Sequence, residues 1–144
     1  MRFSIPFGLT ALAALVSAPA GLNAQNTAPV AVKLPTGAYL VLVQPEDSLP
    51  PEISGEWRIV FENGGTYRAL RNGAVVVMGE YKATGDTLRL VDVSGDMACT
   101  GTAGPATYVW KAAADGSLTL VAVEDQCAGR ARLTTLRALV KAKD

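Results

Sequence analysis

The chain has 144 residues, of which 49% are hydrophobic, and its 13 basic and 13 acidic residues cancel. Because no run of like charge exceeds two residues, the sequence contains no basic cluster of the kind that binds nucleic acid or an anionic membrane surface. The absence of histidine removes the usual general base and the usual zinc or haem ligand, which argues against an enzyme and against a bound metal or cofactor.

Residues 1–24 have the features of a cleaved signal peptide. Arg2 is the only charged residue, LTALAALVSAPA at 9–20 has the length of a signal-peptide core, and small residues precede two candidate cleavage sites, after Ala20 and after Ala24. The apolar run is flanked by Pro6 and Pro19 and is shorter than the roughly 20 residues of a membrane span. The sequence therefore predicts a periplasmic or secreted protein whose mature chain has no membrane span.

The mature chain is expected to form one domain over residues 37–141, after a flexible, proline-punctuated lead-in at 25–36. Short runs rich in β-branched and aromatic residues alternate there with turn signals, and no amphipathic helix of useful length is predicted. Eight strands are predicted, over residues 38–43, 56–62, 66–71, 74–83, 87–92, 107–112, 118–123 and 130–140.

Most connections between these strands are tight turns. Asn72-Gly73 is the strongest turn signal, because both central residues of a type I′ turn need positive φ. Sequential hairpins place successive strands side by side, and eight antiparallel strands suffice to close a barrel. We therefore predict an all-β fold, an eight-stranded antiparallel up-and-down barrel. An open two-sheet sandwich is the alternative, with crossovers at 44–54 and 93–105.

A glycine stands two residues before an aromatic residue at four places: Gly37 and Tyr39, Gly55 and Trp57, Gly65 and Tyr67, Gly79 and Tyr81. In a strand both positions face the same side, so the glycine leaves room that the ring fills. We interpret the repeat as a packing device of a tightly curled sheet, and these four glycines with Tyr39 as structural residues.

Cys99 and Cys127 are the two cysteines of the chain. In an oxidising compartment such a pair most simply forms a disulfide, which here ties the glycine-rich 93–105 loop to the start of the last predicted strand. A redox-active pair and a pair of metal ligands are the alternatives, and both are disfavoured because the chain has no CxxC motif and no histidine.

Gly55-Glu56-Trp57, at the start of a strand in an eight-stranded meander, resembles the Gly-x-Trp signature of lipocalins and other calycins. The order of Gly-Thr-Tyr, GEY, GDTL, YVW and DQCAGR over residues 37–140 is similar to small secreted bacterial lipocalin-like domains. The resemblance implies a barrel end closed by one aromatic ring. Since the lipocalin signature lies on the first strand and this one lies on the second, Tyr39 and Trp57 are both candidates. It also implies an arginine on the last strand packed across that ring, for which Arg130 is favoured over Arg132.

Aromatic side chains from non-adjacent strands are expected on the inner face of the barrel: Trp57, Tyr67, Tyr81, Tyr108 and Trp110. They either fill the interior as core or line a cup for one small, mostly apolar molecule. An inward Arg130 either closes the barrel end or meets a ligand carboxylate. The acidic pairs Glu46/Asp47 and Glu124/Asp125 are interpreted as solvated turn charges.

The functional hypothesis is a non-enzymatic, exported lipocalin-like protein that binds a small hydrophobic molecule. The alternative is a protein-binding module. Small periplasmic inhibitors of metalloproteases are disulfide-containing eight-stranded barrels, and PEISGEW at 51–57 is similar to the segment that leads into their first strand. A structural envelope domain with a filled core is the third hypothesis. An interior void of about 300 Å³ or more favours the first hypothesis.

Overall fold

The computed structural model describes residues 33–143. The proposed signal peptide and residues 25–32 of the lead-in lie outside the described residues. Within them, the elements in chain order are β1 (Gly37–Val43), β2 (Gly55–Phe61), β3 (Thr66–Arg71), β4 (Ala74–Thr84), β5 (Thr87–Ser94), β6 (Pro105–Ala112), β7 (Leu118–Asp125), α1 (Ala128–Thr135) and β8 (Val140–Lys141). Single turns of 3-10 helix lie in the connections at Pro45–Asp47, Pro51–Ile53 and Gly101–Ala103. Over this range, no helix has the length and hydropathy needed to cross a bilayer.

All eight strands belong to one antiparallel sheet, in the order β7-β6-β5-β4-β3-β2-β1-β8. This confirms the all-β antiparallel meander, and the two-sheet sandwich is wrong for the part of the chain that the structure describes. The sheet curls into a half-barrel. β7 and β8, its two edge strands, are not paired along their length, and a single antiparallel bridge links Leu118 of β7 to Leu139 just before β8, with N···O distances of 2.9 and 2.7 Å.

The first seven strands lie where the sequence predicts them, with ends that differ by at most two residues. Alternation of buried and exposed side chains defines them, as in β2, where Trp57, Ile59 and Phe61 are buried. The turn between β3 and β4 is also as predicted, since Asn72 and Gly73 have φ of 49° and 85°.

The predicted eighth strand over residues 130–140 is wrong. Ala128–Thr135 forms helix α1, and only Val140–Lys141 is strand. Alanine, arginine and leucine are strong helix formers. The two threonines fit the helix because the hydroxyls of Thr134 and Thr135 donate to the carbonyls of Arg130 and Ala131, four residues back. The helix was not predicted because its buried face is not apolar throughout. Arg130 lies on that face, one turn before the buried Leu133 and Thr134, and its charge interrupts the apolar pattern by which a helix is recognised in a sequence.

The interior of the curled sheet has two unlike ends. The short β2–β3, β4–β5 and β6–β7 turns define one, called here the tight-turn end. The long β1–β2 and β5–β6 connections and helix α1 define the other, called here the loop end. The tight-turn end is filled by fully buried side chains, which include Tyr39, Leu88, Leu118 and Leu139.

Tyr39, rather than Trp57, occupies the tight-turn end. Its hydroxyl donates to the carbonyl of Pro35 at 2.8 Å, and Nζ of Lys141 lies 4.6 Å from the centre of its ring. Trp57 lies at the loop end, where its indole N–H donates to the carbonyl of Ile53 at 2.8 Å. The expectation that Arg130 packs across a tryptophan is therefore wrong, because the cation over the closing ring is Lys141 on β8.

Residues 33–36, the end of the predicted flexible lead-in, pack against the sheet. Leu34 is 2% exposed and belongs to the hydrophobic core. The carbonyl of Thr36 accepts a hydrogen bond from Lys141, and that of Pro35 accepts one from Tyr39. A buried leucine and two tertiary hydrogen bonds fix this segment, so the domain begins a few residues before β1.

Gly79 is the glycine at which the packing interpretation is clearest. A Cβ at this position would lie 2.5 Å from Cε1 of Tyr67, its partner in register on β3, and would also meet the carbonyl oxygen of Val91. The ring that fills the space thus comes from the neighbouring strand. The interpretation that Tyr81, two residues along, fills it is wrong. Positive φ accounts for the other three glycines of the repeat, Gly37 (121°), Gly55 (112°) and Gly65 (88°).

Gly79→Ala is expected to lower the free energy of unfolding by about 1–3 kcal/mol, because the added methyl group overpacks the space held by Tyr67. Gly129→Ala is the matched control, since a Cβ at Gly129 in α1 meets no atom within 4 Å. That substitution is expected to stabilise the domain by up to about 1 kcal/mol through helix propensity. Urea midpoints measure both. Shifts of the same sign and size would show that Gly79 is not a packing position.

Candidate functional site

A cavity of about 670 Å³ occupies the loop end of the curled sheet. Its strand walls and its cover are mostly apolar, and exposed polar side chains stand at its rim. The strands contribute Trp57, Ile59, Phe61, Tyr67 and Leu90, the connections contribute Met97 and Leu133, and the rim includes Glu52, Asp96 and Arg132. The volume lies within the range of small-molecule sites, roughly 300–1,000 Å³.

The structure brings two of the five predicted aromatic residues, Trp57 and Tyr67, to this cavity. Tyr81 is half-buried beside Phe61, with their ring centres 5.1 Å apart. Trp110 lies at the tight-turn end. Tyr108 is fully buried on the inner face but does not line the cavity.

The position of Trp110 follows from its distance to a turn. It lies two residues before the end of β6, and its indole N–H donates to the carbonyl of Gly85 in the β4–β5 turn at 3.0 Å. Both features place it in the filled half of the interior. Trp57 and Trp110 are the chain's two tryptophans, and they therefore stand at opposite ends of the sheet.

A buried cluster of charges stands beside the cavity, and two of its members, Asp92 and Arg130, form part of the wall. Arg130 of α1 lies between Asp92 of β5 and Asp125 at the end of β7, and the three side chains are 9%, 2% and 0% exposed. Nη1 of Arg130 is 2.8 Å from Oδ1 of Asp92. Nη2 and Nε contact the two oxygens of Asp125 at 2.8 and 2.9 Å. The Asp125 pair is bidentate, the strongest arrangement for these groups.

Arg130 also binds the β5–β6 loop. Its Nη1 and Nη2 donate to the carbonyls of Gly104 and Ala103 at 2.8 and 2.9 Å. With the bonds to Asp125, four of its five N–H groups donate to protein oxygens, and Nη1 also lies 2.8 Å from Oδ1 of Asp92. Arg130 thus faces inward, joins helix, loop and two strands, and is committed to protein partners.

Two tyrosines complete the cluster. The hydroxyl of Tyr67 donates to Asp92 and that of Tyr108 donates to Asp125. Burial, followed by these hydrogen bonds, raises the pKa of both phenols well above 10, so they stay protonated donors. Burial alone would raise the pKa of Asp125, but hydrogen bonds from Arg130 and Tyr108 outweigh it and lower that pKa. Burial would likewise lower the pKa of Arg130, yet Asp125 and Asp92 raise it.

Cys99 and Cys127 form the predicted disulfide, with Cα atoms 6.0 Å apart, and both residues line the cavity. The backbone N–H of Cys99 donates to Oδ2 of Asp92, and that of Cys127 donates to Oδ1 of Asp125, each at 2.8 Å. Each cysteine therefore orients one carboxylate of the cluster. Among residues 33–143, no buried side-chain nitrogen or oxygen lacks a hydrogen-bond partner.

Sequence reasoning missed Asp92 and misjudged Asp125, which is not a solvated turn charge. The alternating pattern of β5 could have predicted that Asp92 faces inward, because it follows the inward-facing Leu88 and Leu90 at the same two-residue spacing. Asp125 faces inward because a β-bulge opposite Thr107 and Tyr108 shifts the register of β7, which exchanges the faces of the residues beyond it. A bulge leaves no clear mark in the sequence.

Within the described residues, no group of three or more Cys, Asp or Glu side chains could hold a metal ion. Comparison of the chain with known protein families, with characterised proteins and with solved structures finds no match. Its class is therefore defined by its own fold and site. It is an antiparallel half-barrel with a mostly apolar cavity, bordered by a disulfide and by a satisfied ionic cluster.

Proposed function

We propose that this chain is an exported, non-enzymatic, lipocalin-like protein that holds a small, mostly apolar molecule at the loop end of its barrel. The observation that carries the proposal is the cavity of about 670 Å³. The cavity opens at a polar rim and is otherwise lined mostly by apolar side chains. Concave, mostly apolar sites of this volume are the usual form of small-molecule sites.

The lipocalin-like part of the proposal is supported by the arrangement of the two ends. Eight strands follow one another in a meander, and the end opposite the cavity is closed by Tyr39 with Lys141 over its ring. These residues take the places that the resemblance gives to tryptophan and arginine. The disulfide between Cys99 and Cys127 supports export to an oxidising compartment, the periplasm or the cell exterior.

The two tryptophans provide the test, because Trp57 lines the cavity and Trp110 does not. Trp110→Phe leaves Trp57 as the reporter, and Trp57→Phe leaves Trp110. On titration with retinol or N-phenylnaphthylamine, both neutral and apolar, we expect a saturable change in the emission of Trp57 and a much smaller change in that of Trp110. Circular dichroism checks that both variants are folded.

A variant that fills the cavity supplies the second arm of this experiment. Ala69 of β3 is buried and lines the cavity, so Ala69→Phe is expected to abolish binding. Ala106 of β6 is also buried but does not line the cavity, and Ala106→Val is the control for disturbance of the core. No saturable signal from Trp57 in the folded protein, or undiminished binding by a folded Ala69→Phe variant, would refute the proposal.

A protein-binding module is the second candidate. The observation in its favour is a small apolar patch on the outer face of β6 and β7. Val121 and Val123 are 59% and 64% exposed, and Val109 lies opposite Val121 in register. Single exposed apolar residues are common on protein surfaces, so this patch carries less weight than the cavity.

A further inference from the structure

The geometry also points to the chemical class of the ligand, an inference that rests on the proposed function. We infer that the cavity takes an amphipathic molecule with an apolar body and a hydrogen-bond donor at one end, in particular a primary ammonium group, and that it discriminates against carboxylates. Three properties of the wall lead to this inference: its buried side-chain donors are bonded to protein oxygens, Asp92 can still accept a hydrogen bond, and its buried negative charges outnumber the positive one.

The buried side-chain donors of the wall are already bonded to protein oxygens. Four N–H groups of Arg130 donate to protein oxygens, and its Nη1 also lies 2.8 Å from Oδ1 of Asp92. The hydroxyl of Tyr67 donates to Asp92, and that of Thr134 donates to the carbonyl of Arg130 at 2.9 Å. The indole N–H of Trp57 donates to Ile53. A ligand carboxylate would find these side-chain hydrogens already bonded and would lose part of its hydration without replacement.

Asp92 retains capacity to accept. Its Oδ1 contacts Tyr67 and Arg130, whereas its Oδ2 accepts from the N–H of Cys99. A carboxylate oxygen has about two lone-pair sites, so Oδ2 can accept one further hydrogen bond. Because Asp92 forms part of the cavity wall, a ligand N–H or O–H is the group that would use this site.

The charges of the cluster favour the same class of ligand. Asp92 and Asp125 share one guanidinium, which leaves one net negative charge at side chains that are at most 9% exposed. In such a weakly screened environment a cation is attracted and an anion repelled. The charges at the rim do not reverse this preference for a cation. Arg132 is exposed there, and it shares the rim with the exposed carboxylates of Glu52 and Asp96.

Three ligands with the same tail test the inference on the unaltered, disulfide-bonded protein: dodecylammonium, dodecanol and dodecanoate. Each competes with N-phenylnaphthylamine for the cavity at neutral pH, below its critical micelle concentration. We expect dodecylammonium to bind at least about tenfold more tightly than dodecanoate, with dodecanol between them. Equal or tighter binding of dodecanoate, or a bound probe that none of the three displaces, would overturn the ligand class while the proposed function stands. If the probe itself does not bind, the proposed function fails.

The variant Asp92→Asn tests whether Asp92 is the source of the preference for an ammonium over a carboxylate ligand. It removes one buried charge with little change of shape, and we expect the ratio of dodecylammonium to dodecanoate affinity to fall about tenfold. Asp96→Asn, which makes the same change of charge at the exposed rim, is expected to alter that ratio less than about threefold because the rim is screened by solvent. Equal effects of the two folded variants would contradict the role of Asp92. If Asp92→Asn does not fold, the ligand series on the unaltered protein decides.

Discussion

Replacing Arg130 by methionine is expected to lower the free energy of unfolding by about 3–5 kcal/mol at neutral pH. Methionine fills a similar length with apolar atoms, but it leaves the carboxylates of Asp92 and Asp125 buried without their cation. These side chains are 2% and 0% exposed, so solvent screens their charges poorly once the guanidinium is removed. A domain of this size has a total stability of about 5–15 kcal/mol, so the variant should be marginally folded.

Arg132→Met is the matched control for this substitution. Arg132 lies two residues further along α1 and is exposed, and its loss should change the stability by no more than about 0.5 kcal/mol. Urea unfolding followed by circular dichroism measures both variants. If the two lose similar stability, the ionic cluster does not hold the loop end together, and the structural role assigned to Arg130 is wrong.

The stability lost by Arg130→Met is also expected to depend on pH. In the native protein the pKa of Asp125 lies below its ordinary 3.8, so the pairing stabilises the fold above that value and is lost only as the pH falls through the lower, folded-state pKa. Arg130→Met removes the largest cause that lowers the pKa of Asp125 while burial still raises it, so we expect that pKa to rise and mild acid to protonate the carboxylate and relieve its cost. The difference between native and variant should therefore shrink between about pH 7 and about pH 4. A constant difference over this range would contradict the assignment.

The sheet was predictable because its determinants are local. Alternation in β2 and the Asn72-Gly73 turn specify strand, face and hairpin within a few residues. Helix α1 was not, because the partners of its buried charge lie on β5 and β7. Unless Asp92 and Asp125 are known as its partners, Arg130 does not mark the buried face of a helix, and the sequence around it then favours an alternating strand.

The same limit applies to the candidate site. Alternation places Trp57, Tyr67 and Trp110 on the inner face, where all three are found. Whether an inward ring lines the cavity depends on how far along its strand it lies from the long connections. That distance is set by the register of each strand against its neighbours. Trp110 lies near the β6–β7 turn and so belongs to the filled end, whereas Trp57 is the third residue of β2, directly after the long β1–β2 connection. The size of the void depends on how all these side chains pack together, which no local pattern specifies.

Replacing both cysteines by serine is expected to lower the free energy of unfolding by about 3–4 kcal/mol, since Cys99 and Cys127 are 28 residues apart and the bond removes the freedom of that loop in the unfolded chain. Thiol titration of the denatured, unreduced native protein is the control and should find no free thiol. Urea midpoints of the native and the double-serine protein give the difference. A loss below about 1 kcal/mol would mean that the bond constrains the unfolded state far less than its span requires.

The disulfide and Arg130 are expected to be energetically coupled, because each cysteine N–H orients one carboxylate that Arg130 binds. Without the bond, Asp92 and Asp125 are less well placed, so Arg130 contributes less to stability. Loss of the bond together with Arg130→Met should therefore cost about 1–2 kcal/mol less than the sum of the separate losses. All four proteins of this cycle are compared in the same concentration of trimethylamine oxide, which keeps the weakest one folded. Losses that add within about 0.5 kcal/mol would show that the bond acts only on the unfolded chain, and that the cluster beside the cavity is ordered without it.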